Sequence, residues 1–264
     1  MSKKRLDILL TERGFAESRT RARSLIMAGA VFVDGERIDK AGSMTSEGAK
    51  ISLKEKDHPY VSRGGVKLAH ALKTFKVDPS GMTCLDVGAS TGGFTDCLLQ
   101  SGAEKVWAID VGENQLDYRL RTDERVISFE KVNARDMDIS VITDPVSLLV
   151  ADVSFISLKL VIPPFLPLLT YEAKLLLLVK PQFEAGRENV GKNGIVTSLE
   201  IHNHVINKLL SFFASIGLSC WGVTDSPISG RKGNREYFIL LERVKEGVCG
   251  RILRYDVKKP SSGA

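Results

Sequence analysis

Asp86-Val87-Gly88-Ala89-Ser90-Thr91-Gly92-Gly93-Phe94-Thr95-Asp96 places an acid at the end of a short apolar run, then a glycine-rich turn that opens into a helix. An α/β fold makes room in this way for a nucleotide-like cofactor beside its first strand. A matching acid ends Val106-Trp107-Ala108-Ile109-Asp110, where a second strand is predicted to deliver a carboxylate to a ribose. Glycine spacing selects the cofactor. A dinucleotide site needs G-x-G-x-x-G, with a helix N-terminus aimed at a pyrophosphate. Here Gly88, Gly92 and Gly93 are spaced otherwise, and Asp86 stands where an ammonium group is held. S-adenosylmethionine has such an ammonium and no phosphate, so it is the expected ligand. Asp86, Gly88, Ser90, Thr91, Gly92, Gly93, Phe94 and Asp110 are its candidate contacts. Asp136, after Asn133-Ala134-Arg135, is a candidate for the adenine edge, with an ordinary turn aspartate as the other reading.

Outward from this stretch, strands and helices alternate. Strands are predicted at 83–87, 105–109, 126–130, 147–151, 173–179, 218–223 and 236–241, with a long amphipathic helix at 198–216. The alternation predicts a doubly wound α/β sheet, its last two strands an antiparallel pair at one edge. Val66, Leu68, Ala69, Leu72 and Phe75 mark a helix leading into it.

The first 57 residues follow a different logic. Leu6, Ile8, Leu9 and Leu10 begin a helical face that Gly14 stops, and Ser18 caps a second helix ended by Gly29. Val31 to Val33 and Arg37-Ile38 flank Asp34-Gly35, a hairpin signal, and Ile51-Ser52-Leu53 reads as a further strand. Arg19, Arg21 and Arg23 spread around the second helix, in a segment that also holds Lys4 and Arg5. The pattern Arg5-Leu6-Asp7, Ser18-Arg19-Thr20-Arg21-Ala22, Leu25-Ile26, Gly29, Val31 and Val33-Asp34-Gly35 resembles the S-four-type RNA-binding domain. Arginine suits that role because its planar fork matches phosphate and stacks on bases. Lys54 to Tyr60, charged and broken by Pro59, reads as a linker. The expected domains are 1–57, a linker at 58–62, a catalytic domain at 63–250 and a tail at 251–264, disordered from Lys258.

Composition bounds the function. A chain of 264 residues with 43% apolar content suits one large and one small domain, and a net charge of +5 permits a polyanionic partner. Cys84, Cys97, Cys220 and Cys249 form neither a C-x-x-C pair nor a Cys/His cluster, so they read as buried thiols in a reducing compartment, with no metal site. The start lacks the apolar core of a signal peptide, and no stretch approaches the ~20 apolar residues of a membrane span. A cytoplasmic protein is expected, with no membrane partner and no obligate protein partner.

Reactive groups of such a sheet gather outside the carboxyl ends of its strands. Asp152 ends Leu148-Leu149-Val150-Ala151, and Lys180 ends Leu175 to Val179 before Pro181. Glu236 begins the last predicted strand, and Lys67 follows Ser62-Arg63-Gly64-Gly65 on the entry helix. These motifs, with Ala151-Asp152-Val153-Ser154-Phe155, Lys180-Pro181-Gln182-Phe183-Glu184 and Gly233-Asn234, resemble the TlyA family, relatives of the FtsJ-type ribose methyltransferases. The resemblance covers Arg5 to about Leu241. It implies a Rossmann-like class I methyltransferase sheet behind a small α+β RNA-binding domain. It also implies 2′-O-methylation of cytidine in ribosomal RNA by a Lys-Asp-Lys-Glu tetrad, which here is Lys67, Asp152, Lys180 and Glu236. Ribosomal RNA or ribosomal subunits are the implied partners. The linker departs from the family, reading His58-Pro59-Tyr60-Val61 where some members have Trp-Val. Lys180 is the expected acceptor of the 2′-hydroxyl proton, with Asp152 and Glu236 holding the two amines. A free amine is protonated at neutral pH, so a lysine in this role depends on its surroundings. Residues 182–197 are expected to form a mobile loop over the cofactor. Arg63, Arg231 and Lys232 join Lys4, Arg5, Arg19, Arg21 and Arg23 as candidate RNA contacts. Two other readings stay open: a ribosome-assembly factor with little or no catalysis, and a membrane-active haemolysin.

Overall fold

The computed structural model describes residues 2–16, 18–27, 29–53, 58–230, 232–244 and 254–258. Arg231, Cys249, the charged run 54–57 and the last residues 259–264 lie outside it. The chain divides into two compact units, Met1–Pro59 and Tyr60–Ala264.

In the first unit, β1 (Lys3–Arg5) leads into α1 (Leu6–Glu12), and α2 (Arg19–Met27) precedes β2 (Val31–Val33), β3 (Glu36–Ile38), β4 (Met44–Ser46) and β5 (Ile51–Leu53). β2 is central between β3 and β5, all antiparallel, and β1 pairs separately with β4. Asp34 and Gly35 both take positive φ (50° and 87°), the turn whose twist matches a two-residue hairpin. Ser18 caps α2 as expected, its Oγ accepting from the Arg21 N–H at 3.2 Å. Leu6, Leu10, Ala22, Ile26 and Val31 close the small core. β1 and β4 escape the sequence reading because Lys-Lys-Arg and Met-Thr-Ser show no apolar alternation.

The second unit starts with α3 (Arg63–Phe75), β6 (Thr83–Val87), α4 (Gly93–Gln100), β7 (Lys105–Ile109), α5 (Tyr118–Arg121), β8 (Val126–Phe129), β9 (Val146–Ala151) and α6 (Leu158–Val161). It continues with β10 (Leu169–Val179), α7 (Pro181–Glu184), α8 (Leu199–Ser215), β11 (Leu218–Asp225) and β12 (Tyr237–Arg243). One seven-stranded sheet has the order β11-β12-β10-β9-β6-β7-β8. β10, β9, β6, β7 and β8 run parallel; β12 is antiparallel to β10, and β11 to β12. The doubly wound sheet with an antiparallel edge pair is the one the alternation predicts. Its inner strands are apolar on both faces because both are covered. Leu85, Leu149, Leu177 and Ile239 pack on the α8 side with Phe213, while Cys84, Leu148, Leu176 and Phe238 pack on the side of Leu68 and Leu98.

Residues 254–258 of the expected tail are held against α8. Val257 is buried in the α8-side core, and Asn203 and Asn207 of α8 hold the Val257 and Tyr255 backbone N–H groups at 2.5 and 3.1 Å. Lys258 also departs from the disorder expected of it, since its carbonyl accepts from Arg235 Nη1 at 2.8 Å.

Candidate active site

Parallel order brings the carboxyl ends of β6, β7, β9 and β10 to one rim, and β12, running the other way, begins there. β6 and β9 touch closely at this rim. The Asp152 N–H donates to the Val87 carbonyl at 3.0 Å, and a Cβ on Gly88 would stand 2.7 Å from the Asp152 carbonyl oxygen. Glycine is therefore required at this position, and its φ of +88° asks for it independently. The Val179–Tyr237 register sets Lys180 beside Glu236 across the β10–β12 ladder.

The four candidate catalytic residues meet as two ion pairs. Lys67 Nζ donates to Glu236 Oε2 at 2.6 Å, with the side chains 11% and 3% exposed. Lys180 Nζ lies 2.5 Å from Asp152 Oδ1 and donates to Ser154 Oγ at 2.9 Å. Lys67 reaches the rim because α3 starts against α4: a Cβ on Gly93 would stand 3.0 Å from the Gly65 nitrogen and 3.1 Å from the Gly64 Cα. Gly230 plays the same part for Glu236, since a Cβ there would overlap the carboxylate. Removing one partner of such a buried pair strands the other charge, at a cost of about 3–5 kcal/mol.

Around the glycine-rich turn, Asp86 is fully buried. Its Oδ2 accepts from Thr95 Oγ1 at 2.7 Å, and its Oδ1 has no hydrogen-bond partner among the described residues. Burial pushes its carboxyl up to about 7, against the Thr95 hydrogen bond and helped by the charges of Asp152 and Asp110. Asp110 ties two loops together, Oδ2 accepting from the Ser90 N–H and Oδ1 from the Gly112 N–H, each at 2.7 Å. Thr91 accepts from the Asp117 N–H at 3.3 Å. Gly92 has φ +90°, and a Cβ on it would overlap Leu120. Phe94 is buried against Phe238, ring centroids 6.0 Å apart, and supports the turn from beneath. Asp136 lies in an exposed turn, accepting from Asn133 Nδ2 at 2.6 Å.

Sequence reasoning missed three contributors. Glu130 accepts from the backbone N–H groups of Asn114, Gln115 and Leu116 at 2.9, 3.1 and 3.4 Å, fixing the segment after Asp110. These bonds hold its carboxyl below the ordinary range. Ser154 fixes Lys180. Phe155 is 89% exposed with a left-handed φ of 64°, its ring 4.8 Å from that of Phe183, over which Lys180 Nζ lies at 5.8 Å. A strained, exposed aromatic beside buried charges is a signal of function in a structure and is silent in a sequence. The 182–197 segment is anchored: Asn234 binds it through the Val196 N–H and the Gly194 carbonyl at 3.0 and 2.8 Å, and His202 Nε2 bonds the Val196 carbonyl at 2.9 Å.

Among the candidate RNA contacts, Lys4 pairs with Glu12 at 2.9 Å and Glu47 at 3.7 Å, while Arg5 and Arg19 share Asp7. Arg21 and Arg23 lie on α2, Arg63 donates to the Ser229 carbonyl at 3.3 Å, and Lys232 is exposed.

The FtsJ-like methyltransferase family matches residues 60–243, and the S4 domain matches 4–51. The 16S/23S rRNA (cytidine-2′-O)-methyltransferase TlyA of Mycobacterium tuberculosis is 41% identical over 90% of this chain and 89% of its own. This chain belongs to the TlyA family of FtsJ-like methyltransferases. A Brachyspira hyodysenteriae protein of the same family, Hemolysin A, is 42% identical over 88% of this chain and 97% of its own. A Streptococcus thermophilus structure described as a hemolysin shares 44% identity at a TM-score of 0.72, over 92% of this chain and 90% of its own. A Listeria monocytogenes methyltransferase structure, at 16% identity and a TM-score of 0.54, shares the fold. In this FtsJ-like rim, the buried Oδ1 of Asp86, without a hydrogen-bond partner among the described residues, fits the ammonium of S-adenosylmethionine.

Proposed function

We propose that this chain is an S-adenosylmethionine-dependent methyltransferase acting on the ribose 2′-hydroxyl of cytidine in ribosomal RNA. The observation that carries the reading is the pairing of two lysines with two acids on one rim, beside a turn that fits the cofactor. Asp86, Gly88, Ser90, Thr91, Gly92, Gly93 and Asp110 would hold the cofactor, with Phe94 beneath them and Asp136 at the adenine edge. When bound, S-adenosylmethionine supplies a methyl group on a sulfonium centre.

The protein moves the proton. Lys180 Nζ takes it from the 2′-hydroxyl, while Asp152 Oδ1 and Ser154 Oγ keep the amine aimed. Lys67, locked by Glu236, stands as a fixed cation that orients the acceptor. The Phe155 and Phe183 rings offer a stacking surface to a base. The S4 domain binds the RNA, and the reaction belongs to the cytoplasm, where ribosomes are. The family's hemolysin names draw little support from the fold: among the described residues no helix is long and apolar enough to cross a membrane.

Incubation with methyl-labelled S-adenosylmethionine and unmodified ribosomal subunits tests the reading. Label is expected in RNA at a nucleotide made resistant to alkaline cleavage, and Lys180→Ala should lose about 10²–10⁴ in rate. Normal transfer by Lys180→Ala would remove the assigned base. No transfer by wild-type protein with cofactor bound would remove the substrate assignment and favour another acceptor or an assembly role.

A further inference from the structure

In the first unit, one buried acid organises two of the surface arginines. Asp7, the second residue of α1, has a side chain with no solvent exposure. Its Oδ1 accepts from Arg5 Nε and from the Ile8 N–H, each at 3.0 Å. Its Oδ2 accepts from Arg5 Nη2 at 3.0 Å and from Arg19 Nη2 at 3.2 Å. The Arg5 hydrogen bonds, with that of Arg19, outweigh burial and hold the carboxyl at about 2, so the hub stays charged at neutral pH.

The arginines are placed differently from the acid. Their side chains are 42% and 57% exposed. Arg5 commits its Nε–Nη2 edge to Asp7, which leaves Nη1 outside that bidentate pair; Nη1 lies by Gly42, where even a Cβ would stand 3.6 Å off. Arg19 commits a single N–H of its five to Asp7. Two guanidinium groups on one carboxylate leave an excess positive charge. Two neighbouring cations are spent otherwise: Lys4 pairs with two glutamates, and Arg13 donates to the carbonyls of Glu47 and Ala49.

We propose that Asp7 is a positioning residue for RNA: it fixes Arg5 and Arg19 as a two-pronged clamp for backbone phosphates. A guanidinium meets phosphate best through a planar fork, and one already immobilised has less freedom to lose on binding. The inference rests on the reading of this chain as an RNA-binding enzyme and adds the residue that pre-sets its grip.

Asp7→Asn in the full chain gives the test, because charge and positioning predict opposite signs. The substitution removes a negative charge beside two cations, so electrostatics alone tightens RNA binding. Positioning predicts about tenfold weaker binding to 16S and 23S RNA transcribed in vitro, with S-adenosylmethionine affinity unchanged. In an Arg5→Ala/Arg19→Ala background the same change should cost nothing more, whereas a purely structural Asp7 would weaken binding there too. If Asp7→Asn does not fold, Arg5→Lys serves: it keeps the charge, loses the fork, and should also weaken binding. Equal or tighter binding by Asp7→Asn, wild-type binding by Arg5→Lys, or a further loss in the double-alanine background overturns the proposal. Wild-type protein that binds neither transcript removes the RNA reading itself, and the clamp with it.

Discussion

At the scale of single residues, Asp86 carries the sharpest consequence of the fold. A carboxylate buried between strands with one oxygen unpartnered is costly in its charged form. Its carboxyl therefore sits near 7 in the folded chain, against about 4 when unfolded. The folded state holds the extra proton between those values, so this residue's contribution to stability falls as pH rises from 4 to 7. A cationic ligand at Oδ1 favours the charged form and expels the proton. S-adenosylmethionine affinity is thus expected to rise by several-fold between pH 6 and 7, below the range in which its own amino group titrates, and to be flat there in Asp86→Asn. Calorimetric titration across that range measures it; an equal pH dependence in the variant would exclude Asp86 as the source. The acid itself was legible in the sequence because it ends an apolar run before glycines. Its complete burial was not, since that depends on Thr95 and on β9 lying against Gly88.

At the scale of elements, the site depends on how closely two helices start. α3 reaches the rim because Gly64 and Gly93 let its first turn lie against α4, while Gly65 leaves room for the Tyr60 ring. Gly93→Ala would place a methyl 3.0–3.1 Å from backbone atoms that cannot rotate away, and α3 with Lys67 must then shift from Glu236. Overpacking of this kind costs about 1–3 kcal/mol, so a melting temperature several degrees lower is expected, with a larger loss in methyl-transfer rate. Full activity in Gly93→Ala would show that Lys67 tolerates the displacement. Strands with strong apolar runs were readable to within a residue or two. β10 was read short because Glu172 takes φ 67° and the pairing with β9 shifts register between Leu169 and Lys174. Tyr171 and Glu172 are exposed, which hides the continuation of the strand. Glu130 and Ser154 were invisible for another reason: each acts on groups that only the folded chain brings near.

At the scale of the whole molecule, the two units have separate cores of unequal size. The cluster around Leu6, Leu10, Ile26 and Val31 contains only residues of the first unit, and the clusters on the two sheet faces contain only residues of the second. Small units bury a smaller share of their surface, so the first is expected to melt below the second. Calorimetry should resolve two transitions. The candidate cofactor residues all lie in Tyr60–Ala264. A ligand that binds only one folded unit stabilises that unit alone, by about 2.7 kcal/mol at a hundredfold excess over its dissociation constant. S-adenosylmethionine should accordingly raise the upper transition and leave the lower where it was. Unmodified ribosomal RNA transcripts should move the lower one, because Arg5 and Arg19 belong to the first unit. One transition that cofactor displaces as a whole would mean that the two cores, separate in their contacts, share a common unfolding step, and the units would then be energetically coupled.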